Sequence, residues 1–328
     1  MLMKIASFIA AAVVQGIPLL FGATGEILTE KSGNLNLGIP GIMYCGGISG
    51  IAGEFIYENA CTKAGHAPNA VMTVVIPLVC ALLGAALLAL IYSFLTITLR
   101  ANQNVTGLAL TTFGVGIGNF FGGSLNKLLG GVGSIQVNSK IFNARLPLAS
   151  KGFIGKVFFS YGFMVYLAII IAIIVSLYLE HTKGGLSLRA VGESPATADA
   201  AGINVTLYKY LATCIGGAIA GLGGLYFVMD YTMGSWTNDG FGDRGWLAIA
   251  IVIFAIWKPK SAILSSFLFG GLYILCVYIP NLTSGAKELI KMMPYIVTII
   301  VLCVVSAKNK KENQPPQSLG LSYFREER

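Results

Sequence analysis

Long apolar runs, separated by short polar segments, make up most of this chain. A helix needs roughly 20 apolar residues to cross the hydrocarbon core of a bilayer. By that measure the pattern predicts an all-α integral membrane protein with about nine transmembrane helices. The predicted helices cover Ile5–Gly22, Asn36–Gly53, Ala70–Ile97, Val105–Phe121, Val157–Leu179, Tyr208–Met229, Trp246–Trp257, Ser261–Ile279 and Met292–Ala307.

The polar segments are too short to form a separate soluble domain. We expect one transmembrane domain over residues 1–307 and a polar tail over residues 308–328 that is disordered. Basic residues in the tail favour a cytoplasmic C-terminus. The loop between the fourth and fifth predicted helices is also basic and would then lie outside, so charge alone gives this orientation little support.

Two polar, glycine-containing turns suggest an internal repeat. Ser32–Gly38 follows the first predicted helix, and Asp239–Gly245 follows the sixth. The two helices are five crossings apart, so the two halves would run in opposite directions. This predicts an inverted-topology repeat, an architecture common among transporters.

The composition agrees with a membrane protein. Apolar residues make up 55% of the chain and charged residues only 11%, against about 25% charged residues in soluble domains. The net charge of +8 comes from scattered residues rather than a basic stripe, which argues against nucleic-acid binding. Five of the six cysteines lie in apolar runs without metal-ligand spacing, so no metal site is expected.

The sequence lacks the motifs of an ATP-hydrolysing or ion-coupled protein. It contains no phosphate-binding loop, and its two histidines, His66 and His181, lie near predicted membrane boundaries. The charged residues nearest to the apolar runs, Glu54, Asp230 and Lys209, fall at predicted helix ends. Ion-coupled transporters usually keep such a residue inside the membrane. We therefore expect a non-catalytic protein whose energy comes from another subunit.

The loop between the fifth and sixth predicted helices, about residues 180–207, is the most informative segment. Ser194 suits an N-cap and Pro195 suits the first helical position. Gly202 follows an alanine-rich turn as a C-cap. The pattern predicts a short helix between two bends, which could either enter a groove on a partner or be an ordinary surface helix.

This loop carries a resemblance to a known family. The stretch Arg189-Ala190-Val191-Gly192-Glu193-Ser194-Pro195, with Ala198 and Ala201-Gly202-Ile203, resembles the coupling segment of permeases in the branched-chain amino acid, ribose and nucleoside ABC importer superfamily. The segments 25–43 and 101–110 resemble more narrowly its purine-nucleoside (guanosine-type) branch, although Pro40 stands where that branch typically has an acidic residue.

The resemblance implies an ABC importer permease fold and a multi-pass subunit of the bacterial cell membrane. The permease would form the pathway for a small polar solute, a nucleoside in the first place, and would itself bind no cofactor. Its implied partners are an ATPase subunit that binds ATP and magnesium, a second and non-identical permease, and a lipid-anchored solute-binding protein.

Two sets of candidate site residues follow. Those implied for contact with the ATPase are Arg189, Gly192, Glu193, Pro195, Ala198, Asp199 and Gly202. Those proposed for the substrate pathway are Asn34, Asn36, Asn102, Asn104, Thr106, Phe113, Trp236 and Phe241. The amides could read a purine or ribose, or they could cap helices; the aromatic residues could stack on a base, or they could lie in an interfacial belt.

Other interpretations remain open at this point. Within the same class, the solute could be riboflavin or a simple sugar. From other classes, the chain could be an ion-coupled secondary transporter or, less in keeping with its sparse polar residues, a membrane enzyme.

Overall fold

The computed structural model describes residues 2–128, 134–145, 147, 152–280, 283–308 and 314–324. The secondary-structure elements named in these residues are all helices. The α-helices are α1 Leu2–Glu30, α2 Ile39–Lys63, α3 Met72–Ser93, α4 Gln103–Leu128, α5 Gly152–Phe158, α6 Phe163–His181, α7 Lys183–Glu193, α8 Pro195–Ala200, α9 Val205–Tyr226, α10 Arg244–Phe254, α11 Pro259–Tyr278, α12 Ser284–Lys291 and α13 Met293–Lys308. Two π-helical turns, Phe94–Thr98 and Phe227–Tyr231, extend α3 and α9.

Seven helices in the described part of the chain are long and apolar enough to cross a membrane, namely α1, α2, α3, α4, α6, α9 and α11. This confirms the all-α membrane class, but nine crossings are not confirmed. The predicted seventh and ninth helices correspond to α10, with 11 residues, and α13, with 16 residues. The first of these stops early because Ile256 and Trp257 adopt left-handed backbone angles, with φ of 54° and 51°.

Glycine contacts hold the central helices close together. A Cβ atom added to Gly25 of α1 would lie 2.1 Å from the carbonyl oxygen of Gly216 in α9. A Cβ atom added to Gly46 of α2 would lie 2.4 Å from the Cα atom of Gly221, also in α9. Glycines at these positions therefore bring the helix backbones together, as small residues do in lipid.

The bundle has two distinct ends. At one, the α8 end, lie α7, α8, the turn 31–38 between α1 and α2, and the tail residues 316–324. At the opposite end, the backbone N–H of Val137 donates to the carbonyl of Gly234, joining the loop after α4 to the loop 232–243 before α10. The first residues of α2 and α10 also meet, because a Cβ atom on Gly245 would lie 2.5 Å from the Cα atom of Pro40.

These positions agree in part with an inverted repeat. The turn after α1 and the loop after α9 lie at opposite ends of the bundle, and the helices that follow them touch. The two halves differ in size, however, since α2 has 25 residues and α10 has 11. The repeat therefore stays a prediction.

The tail differs from the expectation of disorder over residues 308–328. Residues 314–324 pack against the α8 end, where the backbone N–H and the hydroxyl of Ser318 both donate to the carbonyl of Gly192, at 3.1 and 2.5 Å. The N–H of Gly320 donates to the carbonyl of Gly33 at 3.2 Å. These backbone carbonyls come from distant parts of the chain, which is why composition alone suggested a disordered segment. The rest of the tail after Lys308 lies outside the described residues.

Candidate functional site

The predicted short helix of the loop at residues 180–207 is present as α8. The hydroxyl of Ser194 accepts a hydrogen bond from the N–H of Thr197 at 3.4 Å, and Pro195 is the first helical residue. Gly202 has φ +84°, a left-handed conformation that glycine adopts without strain. The loop also contains a second helix, α7, which the sequence pattern did not predict; Thr182 caps it by accepting from the N–H of Gly185 at 3.0 Å.

The residues proposed for ATPase contact occupy different positions on this segment. Glu193 and Gly202 are exposed, whereas Arg189, Pro195 and Asp199 are half-buried. The remaining two, Gly192 and Ala198, are buried. Small neighbours of Ala198 complete the accessible surface of α8, namely Ala196, Thr197, Ala200 and Ala201.

The two buried members hold the segment in place. Ala198 is 3% exposed and packs in a small cluster with Val191 and Val205, which ties α8 to α7 and α9. Gly192 lies against the turn between α1 and α2, since a Cβ atom on it would lie 2.3 Å from the carbonyl oxygen of Lys31. Burial lowers the pKa of Lys31, and the nearby carboxylate of Glu193 opposes this shift. The segment is thus a small-residue surface held firmly against the α1–α2 turn.

That turn is fixed by buried side chains. A carboxylate oxygen of Glu26 accepts from the N–H of Asn36 at 3.0 Å, and the side-chain oxygen of Asn36 accepts from the N–H of Gly38 at 2.9 Å. The indole N–H of Trp257 donates to Glu30. Asn36 therefore fixes the turn before α2 and does not cap the helix, since Gly38 is the N-cap residue and receives no side-chain cap.

Sequence reasoning missed the two glutamates because the first helix was predicted to end at Gly22. The helix in fact continues to Glu30. Glu26 and Glu30 are four residues apart, with Ile27 and Leu28 between them, so a continued helical pattern was the available signal. Their partners come from later segments and gave no local signal.

The start of α4 contributes caps and an exposed face. The side-chain oxygen of Asn102 accepts from the N–H groups of Asn104 and Val105 at 3.0 and 3.1 Å, so Asn102 is the cap of this helix. Thr106 is 8% exposed, whereas Phe113 is 53% exposed on the outer side of α4. These residues do not gather around one space with Trp236 and Phe241.

The other two aromatic pathway candidates, Trp236 and Phe241, lie at the opposite end of the bundle. Trp236 and Phe241 are 5% and 4% exposed and pack edge-on against Tyr44, with ring centroids 6.1 and 5.5 Å away. The Trp236 ring fits over Gly122, where a Cβ atom would lie 2.0 Å from the indole nitrogen. In this arrangement the aromatic cluster is a plug rather than an open binding surface.

A buried arginine that the sequence did not indicate holds the loop next to this plug. The Arg244 guanidinium donates to the carbonyl of Phe241 at 3.0 Å and to the side-chain oxygen of Gln15 at 3.2 Å. It also lies 4.7 Å from the ring centre of Phe227 and 4.8 Å from that of Tyr273. The loop 232–243 is thereby attached to α1 and to the end of α9.

Comparison with known proteins decides the class. A family described as branched-chain amino acid transport system permease component matches residues 8–302. The chain belongs to this family. It is an ABC transporter permease, a non-catalytic, multi-pass subunit of the cell membrane that works with an ATPase and a solute-binding protein.

Three curated permeases show the range of relatives. The nucleoside ABC transporter permease protein NupC of Lactococcus lactis subsp. cremoris is 31% identical, covering 97% of this chain and 96% of its own length. The putative glucose ABC transporter permease protein TsgC13 of Haloferax volcanii is 30% identical, with 98% of each chain covered. The guanosine ABC transporter permease protein NupQ of Bacillus subtilis is 29% identical over 90% of each chain. No solved structure matches this chain.

Proposed function

We propose that this permease imports nucleosides. Support comes from the similarity to NupC over nearly the full length of both chains, together with the similarity to guanosine permease NupQ. In this proposal the chain pairs with a second, non-identical permease. A lipid-anchored solute-binding protein delivers the nucleoside, and ATP and magnesium bind the separate ATPase.

The α7–α8 segment is the proposed contact with that ATPase. It combines an exposed carboxylate at Glu193 with a surface of small residues on α8, which can fit closely into a groove. Buried contacts through Gly192 and Ala198 keep it from moving independently of the bundle. A displacement of α8 would therefore be transmitted directly to the α1–α2 turn. This assignment places the α8 end and the C-terminus in the cytoplasm.

The aromatic plug at the opposite end is the proposed outer closure of the pathway. Trp236, Phe241 and Tyr44 fill the space between the loop 232–243 and α2. Moving this loop would expose three aromatic faces, on which a purine base could stack. The loop would then both seal the pathway and meet the incoming nucleoside.

A simple sugar is the second candidate solute, because TsgC13 is named as a putative glucose permease and is nearly as similar as NupC. The aromatic faces would serve a sugar as well, since sugar rings also pack on aromatic side chains. A nucleoside and a simple sugar differ in hydrogen bonding, because a base has donors and acceptors along the edge of its ring that a sugar lacks.

ATP-dependent uptake of labelled guanosine tests the proposal, using the permease reconstituted with its ATPase and solute-binding protein. Excess unlabelled adenosine, glucose, ribose and riboflavin serve as competitors. Uptake that requires ATP and is inhibited by adenosine alone supports the nucleoside proposal. Inhibition by glucose or riboflavin would reassign the solute, and guanosine uptake without ATP would contradict the proposed energy source.

A further inference from the structure

A polar cavity of about 320 Å³ lies at the α8 end, beside the segment proposed to bind the ATPase. It is bordered by α3, α4, α8, α9 and the C-terminal tail, through residues that include Arg100, Gln103, Asp199, Lys209 and Tyr323. Its size lies within the range of small-ligand pockets, about 300–1,000 Å³. The polar lining distinguishes it from the apolar grooves on the outside of the bundle.

The cavity is bordered by a buried lysine to which the described residues supply no counter-ion. Lys209, in the second turn of α9, is 3% exposed. It forms no salt bridge with any residue in the part of the chain that is described. Buried ammonium groups are normally paired or face a polar space, and the space available to Lys209 is this cavity.

A second cation faces the same space. Arg100 borders the cavity with its guanidinium 4.5 Å from the ring centre of Phe324. Its backbone is in the left-handed region, with φ of 57°, an uncommon conformation for arginine. Among the described residues it also lacks a salt bridge. The tail thus positions one of the two cations.

The cavity also offers an unused hydrogen-bond acceptor. Asn34 is 1% exposed, and its amide nitrogen donates to the hydroxyl of Thr213 at 3.1 Å. Its side-chain oxygen has no hydrogen-bond partner within the described ranges. A molecule that fits this site should therefore carry negative charge and at least one hydroxyl or N–H donor.

We propose that this cavity binds a phosphate group, either as free phosphate or as part of a small phosphorylated solute. The guanidinium of Arg100 matches phosphate geometry, and lysine is a common phosphate-binding residue. Among the described residues that border the cavity, Asp199 is the one that is acidic, and it already accepts from the hydroxyl of Tyr323 at 3.0 Å. A protonated phosphate oxygen or a sugar hydroxyl would donate to Asn34.

Occupancy would be sensed by the coupling segment. The tail residue Tyr323 and the α8 residue Asp199 both border the cavity and are hydrogen-bonded to each other. Phosphate held between Lys209 and Arg100 would tie the tail, the end of α3 and the start of α9 together. The site would therefore report a cytoplasmic anion to the surface proposed to bind the ATPase; this last step, unlike the binding itself, rests on the proposed function.

Calorimetric titration of the whole purified importer, without ATP, tests the binding. The probes are inorganic phosphate and ribose 5-phosphate, with ribose as the uncharged control. We expect saturable binding of at least one anion with a Kd below about 1 mM, and a loss of about tenfold or more in Lys209→Met. Lys209→Arg should retain most of the affinity, and Lys63→Met, which removes an exposed lysine at the other end of α2, should change nothing.

The two anions distinguish the source of the phosphate. Tighter binding of ribose 5-phosphate identifies a phosphorylated solute, and tighter binding of inorganic phosphate identifies the free ion. If neither anion binds below about 10 mM, or if binding persists unchanged in an assembled Lys209→Met complex, the proposal is wrong. Arg100→Gln provides the same comparison if Lys209→Met does not assemble. These titrations do not depend on which solute is imported.

Discussion

Gly192 is the point at which the end of α7 touches the turn between α1 and α2, and one added methyl group tests what that contact does. In Gly192→Ala the new carbon would lie 2.3 Å from the carbonyl oxygen of Lys31 and 3.3 Å from the backbone nitrogen of Gly33. Both neighbours are backbone atoms of a fixed turn, so α7 must move away by about 1 Å to restore ordinary contact.

Overpacking of this kind costs about 1–3 kcal/mol. If this free-energy cost destabilises the conformation in which α7 and the α1–α2 turn stay in contact and move together, the population of that conformation drops about 5- to 150-fold. The ATPase should still assemble with Gly192→Ala, because the exposed surface of α8 is unchanged. Stimulation of ATP hydrolysis by the loaded solute-binding protein should fall by a similar factor, and uptake should fall with it.

The assay is ATP hydrolysis by the complete importer in proteoliposomes, with and without loaded solute-binding protein. Gly123→Ala is the matched control, since it adds the same methyl group in α4, where no described residue outside the local helix backbone has an atom within 4 Å. Co-purification of the ATPase measures assembly. Full stimulation in an assembled Gly192→Ala complex would refute the role given to this contact.

Three further predictions concern contacts at the two ends of the bundle. Glu26→Ala should destabilise the α8 end by about 1–3 kcal/mol because it leaves the N–H of Asn36 without an acceptor, whereas Glu26→Gln should cost less, as thermal unfolding will show. Ser318→Ala removes one of two hydrogen bonds to Gly192, so amide exchange in residues 192–202 should become faster by up to about tenfold; unchanged exchange would mean that the tail does not restrain α7. Trp236→Ala removes most of the aromatic plug and should allow uptake without the solute-binding protein, measured with the same labelled guanosine; tight sealing in this variant would count against an outer closure at this position.

The crossings were predictable from sequence where each one is a continuous apolar run. They were not where backbone geometry interrupts the run. The segment Trp246–Trp257 is apolar throughout, yet α10 ends at Phe254 because the following residues turn through left-handed conformations before Pro259. Hydropathy does not register such a turn, and the run was therefore predicted as a full crossing.

The features of the candidate site were likewise predictable where they depend on local interactions and not where they depend on distant ones. The start and end of α8 could be predicted from sequence, because Ser194, Pro195 and Gly202 determine the backbone conformation of residues next to them in the chain. The buried position of Glu26 was missed because the first helix was predicted to end at Gly22. The tail around Ser318 was predicted to be disordered because its partner, Gly192, lies in a distant part of the chain. A lone sequence shows a polar residue but not the donor or acceptor that satisfies it.

Contacts on either side of the α1–α2 turn suggest how movement of α8 could reach the opposite end. Gly192 touches Lys31, the turn leads into α2, and the start of α2 touches the start of α10 between Pro40 and Gly245. The next residue before Gly245 is Arg244, which holds the loop beside the aromatic plug. Each step is a backbone or buried contact with little room to absorb a displacement.

A double-mutant cycle tests whether these steps form one path. Gly245→Ala would place its methyl carbon 2.5 Å from Pro40 and should reduce stimulated ATP hydrolysis much as Gly192→Ala does. If displacement passes from one contact to the other, the first substitution already interrupts it, and the double variant should lose less than the sum of the two single losses. Strict additivity, in complexes that assemble normally, would mean that the two contacts act independently and that α8 reaches the plug by another route.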